Sequence, residues 1–325
     1  MNGSYLEIFH QRFFLRFYKR IWYIIEPEIM TVQKHVIPKR SLIMFDSMGS
    51  FITRISFLIL ILLFGRPCLA ADVIRINGTG SGLNMMQPMT VAYANVHHSE
   101  IRFEMDNSLG SSGSIKALLS RALDIAISGR RLNPKETEAG AILQKYGQTP
   151  LVIVTNKDIS KKDITTQELV TFYRDRTANW PDGKKVRLVL RPLEDSDTKI
   201  IRNLSPEMDA AMTIAHDQPG MMVAVTDPES SETIARTPGA LGASGLTGVI
   251  IEKLPLNVMR LNGVEPTPET LAKGLYPLGK ELNIVTLGAL SEPVRKFLAF
   301  VYSSEGRRIA QSAGVWITVG EQSPW

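Results

Sequence analysis

The sequence predicts an α/β protein in which strands alternate with helices and end in polar turns. The order of strand, glycine- or serine-containing turn and helix occurs twice between residues 73 and 119, and a similar strand and turn lie at 186–198. Strands joined by helices form parallel sheets, and the loops at their carboxyl ends hold ligands. A length of 325 residues and a hydrophobic content of 44% allow two or three domain-sized units with buried cores.

The basic charge of the chain is concentrated near its N-terminus. The formal net charge is +5, and residues 1–70 contain nine Lys and Arg against four Asp and Glu. The remaining residues are therefore neutral overall, so bulk charge does not support nucleic-acid binding. We expect no nucleic-acid partner.

An apolar run at 55–64 is predicted to be part of an export signal. It follows Arg54, is too short to span a bilayer comfortably, and is followed by the segment 68–71, where we predict cleavage after Ala70. We predict a signal peptide at 48–70; an uncleaved anchor is the alternative. Cys68 is the single cysteine, so the processed chain has no thiol for a disulfide, a metal site or a nucleophile.

Residues 1–47 are interpreted as a doubtful N-terminal extension. They are rich in aromatic and basic residues and precede the signal instead of forming it. Translation from Met44 or Met48 would give a signal of ordinary shape. The alternative is an amphipathic segment at a membrane surface.

The first two turns are each predicted to form an anion site at the start of a helix. A strand at 73–76 ends in the turn 78–82, before a helix at 83–95, and a strand at 101–105 precedes the turn 110–114 and its helix. The first N–H groups of a helix lack partners and carry partial positive charge, so they attract anions. Hydroxyls near the second turn add donors: Ser108, Ser111, Ser112 and Ser114. An ordinary serine-capped helix is the alternative.

A third turn of this kind is predicted at 192–198. The strand at 186–191 ends in Arg191, and Ser196 or Asp197 can cap the helix that follows. Because the arginine adds a permanent positive charge beside a helix start, this turn also favours an anion.

The remaining elements follow from capping and turn signals. Thr165 with Glu168 forms a capping box that opens a helix, and Pro206 stands at a tolerated first helical position. The stretch 263–284 is rich in loops, and we place the return to the first domain near 276–279. The other predicted elements are strands at 125–127 and 150–156, a polar connector at 157–162, a helix at 230–236, a turn at 238–242, a strand at 247–251, a helix start at 267–271, helices at 293–302 and 304–312, and a strand near 315–316.

Four segments, in their order along the chain, resemble a known family. They are 78–82, 110–114, 123–128, and Arg191 with 194–198. The family is that of the phosphate-binding proteins of bacterial ABC phosphate importers, which are type II periplasmic solute-binding proteins. The resemblance implies a two-lobed periplasmic binding protein type II fold with mixed, mostly parallel sheets, helices on both faces and a hinge between the lobes. Lobe I would comprise 71–155 and 279–325, and lobe II 156–278.

The resemblance also implies a function and a set of binding residues. Such a protein binds inorganic phosphate or a similar oxyanion between its lobes in the periplasm and delivers it to the membrane permease of an ABC transporter, as a monomer, without a cofactor or a metal. The implied ligand-binding residues are Thr79, Ser81, Gly82, Ser111, Ser112, Ser128, Arg130, Arg191, Ser196 and Thr198.

Three positions depart from the family pattern. Gly129 stands where the family usually has a carboxylate that accepts the proton of monohydrogen phosphate, Asp197 replaces a glycine, and Arg191 lies one position earlier. A buried carboxylate repels a fully ionised anion such as sulfate, but it accepts a hydrogen bond from protonated phosphate. Glu194, Asp195 or Asp197 can replace this acceptor, or can only cap the helix or face solvent. The sequence therefore leaves the identity of the oxyanion open.

Two other functions are the alternatives. The same fold can serve as a sensor or orphan binding protein for another oxyanion or small anionic ligand. A hydrolase or phosphoryl transferase is the other class, but residues 71–325 contain three histidines and neither an H-E-x-x-H nor a G-x-S-x-G motif. The turn 78–82 also lacks the third glycine of the dinucleotide fingerprint and the lysine of a P-loop. We therefore predict a binding protein and not an enzyme.

Overall fold

The computed structural model of the chain describes residues 72–97 and 101–319. The predicted extension at 1–47 and the predicted signal peptide at 48–70 lie outside the described residues. Within the described ranges, no helix combines the length and the apolar character needed to cross a membrane.

Strands and helices alternate through most of the described chain. In order, the elements are β1 (Asp72–Gly78), α1 (Gly80–His97), β2 (Ile101–Glu104), α2 (Gly110–Leu119), β3 (Ile125–Ser128), α3 (Pro134–Glu138), β4 (Ala141–Asn156), β5 (Asp163–Ile164), α4 (Thr166–Arg174), β6 (Arg187–Leu190), α5 (Ser196–Arg202), α6 (Pro206–Asp217), β7 (Met222–Val223), α7 (Asp227–Arg236), β8 (Ala240–Gly245), α8 (Leu246–Ile251), β9 (Leu256–Val258), β10 (Arg260–Leu261), α9 (Pro268–Ala272), β11 (Gly279–Leu287), α10 (Glu292–Tyr302), α11 (Ser304–Ser312) and β12 (Trp316–Ile317).

Ten strands of the described chain form two mixed sheets that share β4, with β9 and β12 also paired to β4, and β5 and β10 form a separate parallel pair. The first sheet has the order β2-β1-β3-β11-β4, and the second continues β4-β8-β6-β7. Strand β1 pairs in parallel with β2 and β3, and β6 pairs in parallel with β7 and β8. Strand β11 is antiparallel to both of its neighbours. Parallel pairs joined by helices place the ends of β1, β3 and β6, and the loops that follow them, at the ligand-binding edge of each sheet.

Strand β4 connects the two lobes. Its residues 141–150 pair with β11 in the first sheet, whereas residues 151–155 pair with β8 in the second. The change of partner falls between Pro150 and Leu151, and the chain returns to the first sheet at Gly279, opposite Pro150. The two crossings are therefore adjacent. The predicted lobe boundary after residue 155 stays a prediction.

Each sheet is covered on both faces. In the first lobe, Ile125 and Ile127 belong to the core beneath α1 and α10, whereas Ala126 between them packs on the opposite face with Leu118 of α2. In the second lobe, residues 151–154 of β4 likewise alternate between two cores. Because successive side chains of a strand point to opposite faces, each short apolar run supplies both layers. This confirms the predicted α/β fold with helices on both faces.

One predicted strand is wrong. Residues 247–251 were expected to form a strand after a turn at 238–242, but the strand β8 lies at Ala240–Gly245 and the apolar run is helix α8. Every residue of β8 is buried between β4 and β6. At Gly242 an added Cβ would lie 2.6 Å from Cδ1 of Ile234 in α7, so the absence of a side chain allows the helix to pack closely.

A second error concerns β11, which lies mostly within the stretch predicted to be rich in loops. Polar residues interrupt the apolar pattern of this strand. Two of them, Lys280 and Asn283, are nevertheless buried. The strand lies between β3 and β4, so burial in the sheet overrides its weak local preference. The capping box of Thr165 and Glu168, the helix start at Pro206 and both C-terminal helices are confirmed.

Candidate functional site: a cleft between the lobes

A cavity of about 380 Å³ lies between the lobes, at the ends of β1, β3 and β6. The first lobe contributes the loops that start α1 and α2 and the loop after β3, and the second lobe contributes the loops after β6 and β7. Six of the predicted ligand-binding residues line this cleft: Thr79, Ser111, Ser112, Arg130, Arg191 and Ser196. The structure therefore brings the three predicted turns to one cavity.

Buried Asn77 holds the two first-lobe turns together. Its Oδ1 accepts hydrogen bonds from the backbone N–H of Gly78 at 2.8 Å and of Leu109 at 2.9 Å. Its Nδ2 donates to the carbonyl of Asn107 at 3.1 Å. The amide thus ties the start of α1 to the start of α2, and the sequence analysis did not single it out.

Two hydroxyls of the first lobe accept hydrogen bonds and keep their own protons for another acceptor. Ser111 Oγ accepts from the backbone N–H of Gly129 at 2.9 Å. Thr79 Oγ1 accepts from the backbone N–H of Gly82 at 3.1 Å. Because a hydroxyl has one proton and two lone pairs, each group can also donate to an anion in the cleft.

The predicted residues Ser81 and Gly82 do not line the cleft. Ser81 is buried against Gly245 and Thr247, whose hydroxyl donates to the Ser81 carbonyl at 3.1 Å, and the Ser81 Oγ has no partner among the described residues. Gly82 packs closely on Ile127. A direct ligand contact for these two residues stays a prediction.

Ser128 and Thr198 also lie outside the cleft lining, where they hold neighbouring segments of backbone. Ser128 Oγ donates to the carbonyl of Arg130 at 2.7 Å and accepts from its N–H at 3.2 Å. Thr198 Oγ1 donates to the carbonyl of Arg191 at 3.2 Å. Both side chains thus fix the backbone of an arginine that lines the cleft, and their predicted contact with a ligand stays a prediction.

Arg130 forms a bidentate ion pair that the sequence analysis did not anticipate. Its guanidinium donates to both carboxylate oxygens of Glu136 in α3, at 2.9 and 2.7 Å. The hydrogen bond to Arg130 holds the pKa of Glu136 below its ordinary value. Arg130 also donates to Ser112 Oγ at 3.1 Å. The positive charge at this side of the cleft is therefore partly neutralised.

Arg191 is the buried cation that the second lobe contributes to the cleft. It is 8% exposed, and one of its terminal nitrogens donates to Asp195 and to Asp227, each at 2.9 Å. The other donates to the carbonyl of Ala224 at 3.0 Å. Its Nε has no partner among the described residues. An unpaired buried donor on a residue that lines the cleft can bind an anion.

The cap of α5 differs from the prediction. Asp195, not Ser196 or Asp197, is the N-cap residue, and its carboxylate accepts from the backbone N–H of Asp197 at 2.9 Å. The same carboxylate pairs with Arg191. The start of α5 thus already carries a protein carboxylate, in agreement with the alternative in which Asp195 only caps the helix.

Lys280 is the second buried cation and was missed by the sequence analysis. It comes from β11, is 1% exposed, and its Nζ lies 2.6 Å from Asp197 and 3.7 Å from Asp227. It lies on the same buried face of the strand as Leu282 and Ile284. The alternation of Leu282 and Ile284 with polar residues was the signal in the sequence that indicated a strand. The lysine and the surrounding loop-like stretch obscured it.

The three carboxylates exceed the two cations in this buried cluster. Burial raises the pKa of Asp197 to about 6, against the opposing effect of Lys280 and with a further contribution from Asp227 and Asp195. Burial also opposes ionisation of Asp227, but Lys280, Arg191 and a hydrogen bond from the Gly80 backbone N–H together hold its pKa below the ordinary value. The cluster therefore gains one net negative charge as Asp197 ionises.

In the part of the chain that the structure describes, the cleft contains groups that can bind an anion, and no cluster of metal ligands is found. Within those ranges no group of three or more His, Cys, Asp or Glu side chains is placed to hold a metal ion. The cleft instead presents hydroxyls, a guanidinium and backbone N–H groups, the donors expected for an oxyanion.

The fold and the cleft define a two-lobed solute-binding protein. Residues 69–305 match the family model described as the PBP superfamily domain, and the chain belongs to this superfamily. The match confirms the predicted two-lobed fold class and the prediction that the chain is a binding protein and not an enzyme.

Among curated proteins, two relatives are both named phosphate-binding protein PstS. The protein from Borreliella burgdorferi is 26% identical over 253 residues, which cover 74% of this chain and 88% of the relative. The protein from Bacillus subtilis is 26% identical over 237 residues, which cover 70% and 75%.

A solved structure with a similar fold is that of a protein from Clostridium perfringens, described as a phosphate ABC transporter substrate-binding protein with bound phosphate. It has a TM-score of 0.63 and 19% identity, and the match covers 76% of this chain and 100% of that one. An ABC-type phosphate transport receptor from Vibrio cholerae has a TM-score of 0.52 and 19% identity, with 75% and 99% covered. At these identities the two structures establish the fold alone.

Proposed function

We propose that this protein binds inorganic phosphate, or a closely similar oxyanion, in the cleft between its lobes and delivers it to the membrane permease of an ABC importer. The observation that carries the proposal is the convergence of unpaired donors from both lobes on one cavity. These are the hydroxyls of Thr79 and Ser111 and the Nε of Arg191. The two relatives named phosphate-binding protein PstS support phosphate as the ligand.

The donors in the cleft supply much of the free energy needed for tight binding. A hydrogen bond to a charged group contributes roughly 1.5 to 3 kcal/mol net. Four or five such bonds, of which the unpaired groups of Thr79, Ser111 and Arg191 supply three, contribute roughly 6 to 15 kcal/mol. Micromolar affinity requires roughly 8 kcal/mol beyond the cost of ordering the ligand and closing the lobes. No covalent chemistry is required for this function.

The location and the assembly are further parts of the proposal. We infer that the chain is exported through the signal peptide at 48–70 and acts in the periplasm as a monomer. The neutral charge of residues 71–325 supports a partner that is not a nucleic acid. The names of the relatives and of the matched structures support a permease of the ABC class.

A titration of phosphate tests the function. The protein is expressed from Met48, purified from the periplasm and freed of bound anion by dialysis, and phosphate is titrated by calorimetry. We expect micromolar or tighter binding. Arg191→Gln is expected to weaken it about tenfold or more, because the charged hydrogen bond from the unpaired Nε is lost. Arg236→Ala, at a side chain 79% exposed, serves as the matched control. Absence of phosphate binding by the unaltered protein would contradict the proposal.

A second candidate function, binding of another oxyanion by a sensor or orphan binding protein, is favoured by Gly129. This residue stands at the cleft, where an added Cβ would lie 3.4 Å from Thr79 Cγ2 and 3.5 Å from Ser196 Oγ. A carboxylate here would face both lobes, and its absence removes one acceptor for a ligand proton. Sulfate, molybdate and a phosphonate titrated in parallel distinguish the two candidates. Tighter binding of any of these than of phosphate would favour the second.

A further inference from the structure

The start of α1 is already occupied by a carboxylate of the other lobe. The Asp227 side chain lies directly against Gly80, where an added Cβ would clash with the carboxylate. The Gly80 backbone N–H is among the groups that hold the pKa of this carboxyl below its ordinary value. Gly80 is the first residue of an α-helix of 18 residues, so the carboxylate neutralises the partial positive charge at this helix start.

This contact joins the two lobes. Asp227 is the first residue of α7 in the second lobe, whereas Gly80 begins α1 in the first. Lys280 of the first-lobe sheet lies 3.7 Å from Asp227 and 2.6 Å from Asp197, and is almost fully buried. The carboxylate is therefore held by donors from both sides of the cleft, as a bound anion would be.

The same carboxylate also uses part of the binding capacity of Arg191. A terminal nitrogen of the guanidinium is shared between Asp195 and Asp227, at 2.9 Å from each. An external anion that approached the start of α1 would meet a fixed negative charge and would compete with it for the Gly80 N–H and for Arg191. Like charges at such distances repel each other, most strongly where water is excluded.

We propose that Asp227 is an internal anionic ligand of the cleft, which occupies the start of α1 and thereby limits the affinity for an external oxyanion. The external anion must either displace the Asp227 side chain or bind only to the donors around Ser111 and Arg191. This inference rests on the proposed function and identifies the residue that sets its affinity.

Removal of the carboxylate tests the inference. Phosphate is titrated by calorimetry into the unaltered protein and into Asp227→Ala and Asp227→Asn, all expressed from Met48 and purified from the periplasm. Both variants are expected to bind phosphate about tenfold more tightly, because the competing charge is gone. The asparagine variant keeps the shape of the side chain and guards against a loss of folding, which circular dichroism checks.

Asp195→Asn is the charge-matched comparison. Asp195 shares Arg191 with Asp227 but does not lie at the start of α1, and asparagine caps a helix as well as aspartate does. If occupancy of the helix start matters, the gain in affinity from Asp227→Ala exceeds that from Asp195→Asn by about threefold or more. Equal gains would assign the effect to net charge alone and would overturn the inference.

The remaining outcomes separate this inference from the proposed function. If the unaltered protein binds phosphate and both Asp227 variants bind it equally or more weakly, the inference is wrong and the proposed function stands. If only the Asp227 variants bind phosphate, the inference is supported and the proposed function of the unaltered protein is wrong. If no form binds phosphate, both are wrong.

Discussion

The two halves of the cleft bind charge in different ways. The first-lobe half presents the hydroxyls of Thr79 and Ser111, whose protons are available, beside an Arg130 that is already paired with Glu136. The second-lobe half carries the carboxylates of Asp195, Asp197 and Asp227 around Arg191, and it depends on Lys280 of the first-lobe sheet for compensation. The comparison shows that local turns supply donors, whereas the balance of charge is set only when the lobes meet.

The largest expected effect comes from breaking the charge balance. Lys280→Met removes the buried cation beside Asp197 and Asp227 and leaves their carboxylates with less compensation. Loss of one partner of a buried ion pair costs about 3 to 5 kcal/mol. We expect this decrease in the free energy of unfolding, measured by urea denaturation.

Lys199→Met is the control for this variant, since its side chain is 55% exposed and pairs with Glu194 at the surface. An exposed pair of this kind contributes about 0 to 1 kcal/mol. A similar small change for both variants would show that Lys280 does not compensate the carboxylates of the second lobe.

A smaller effect distinguishes the hydroxyls of the two halves. Ser111→Ala removes a hydroxyl whose proton is free for a ligand, and we expect about a tenfold loss of phosphate affinity. Ser196 Oγ lies 3.4 Å from Oδ1 of Asp197, an acceptor within its own lobe. Ser196→Ala is therefore expected to change the affinity much less. Calorimetry gives the dissociation constant of each variant. A greater loss of phosphate affinity in Ser196→Ala than in Ser111→Ala would contradict this prediction.

The smallest expected effect is a pH dependence that originates in the second-lobe half. The pKa of Asp197 is raised to about 6, mainly by burial, so this carboxyl is neutral below and charged above that pH. The added negative charge should weaken phosphate binding a few-fold between about pH 5 and pH 7. Asp197→Asn, titrated in parallel, should lack this component and retain only the change due to the ligand itself. Identical pH profiles would exclude Asp197 as the source.

The same shift has a consequence for stability. Because the pKa of Asp197 in the folded protein lies above its ordinary value of 3.8, the folded state binds this proton more tightly than the unfolded state. The contribution of this carboxyl to stability is therefore present at low pH and is lost as the pH rises through about 6. Urea denaturation of the unaltered protein and Asp197→Asn at several pH values measures it.

Much of the first lobe was predictable because its signals are local. The turns at 78–82 and 110–114 combine glycine and serine before apolar helices, and the structure places helices α1 and α2 directly there. Strand β3 is a short apolar run that the structure buries completely. Each of these features depends on neighbours within a few residues, so a single sequence is sufficient to detect it.

The errors lie where a distant part of the chain decides the outcome. The small residues of β8 show no strand preference, but they fit between β4 and β6 and leave room for the side chain of Ile234 in α7. Lys280 is tolerated inside a strand because Asp197 and Asp227 approach from the other lobe. The helix start at Asp227 had its own signal, since Thr226 and Glu229 form a capping box, yet nothing nearby indicated a role in the cleft.

The sequence by itself determined the α/β fold class and the three turns, because these depend on local pattern and on turn chemistry, and the family resemblance implied six of the side chains that line the cleft. Only the tertiary structure decided which charges are buried together and that Asp227 lies at the start of α1. The physical reason is that the energy of a buried charge depends on partners contributed by distant segments, and folding alone brings them within a few ångströms.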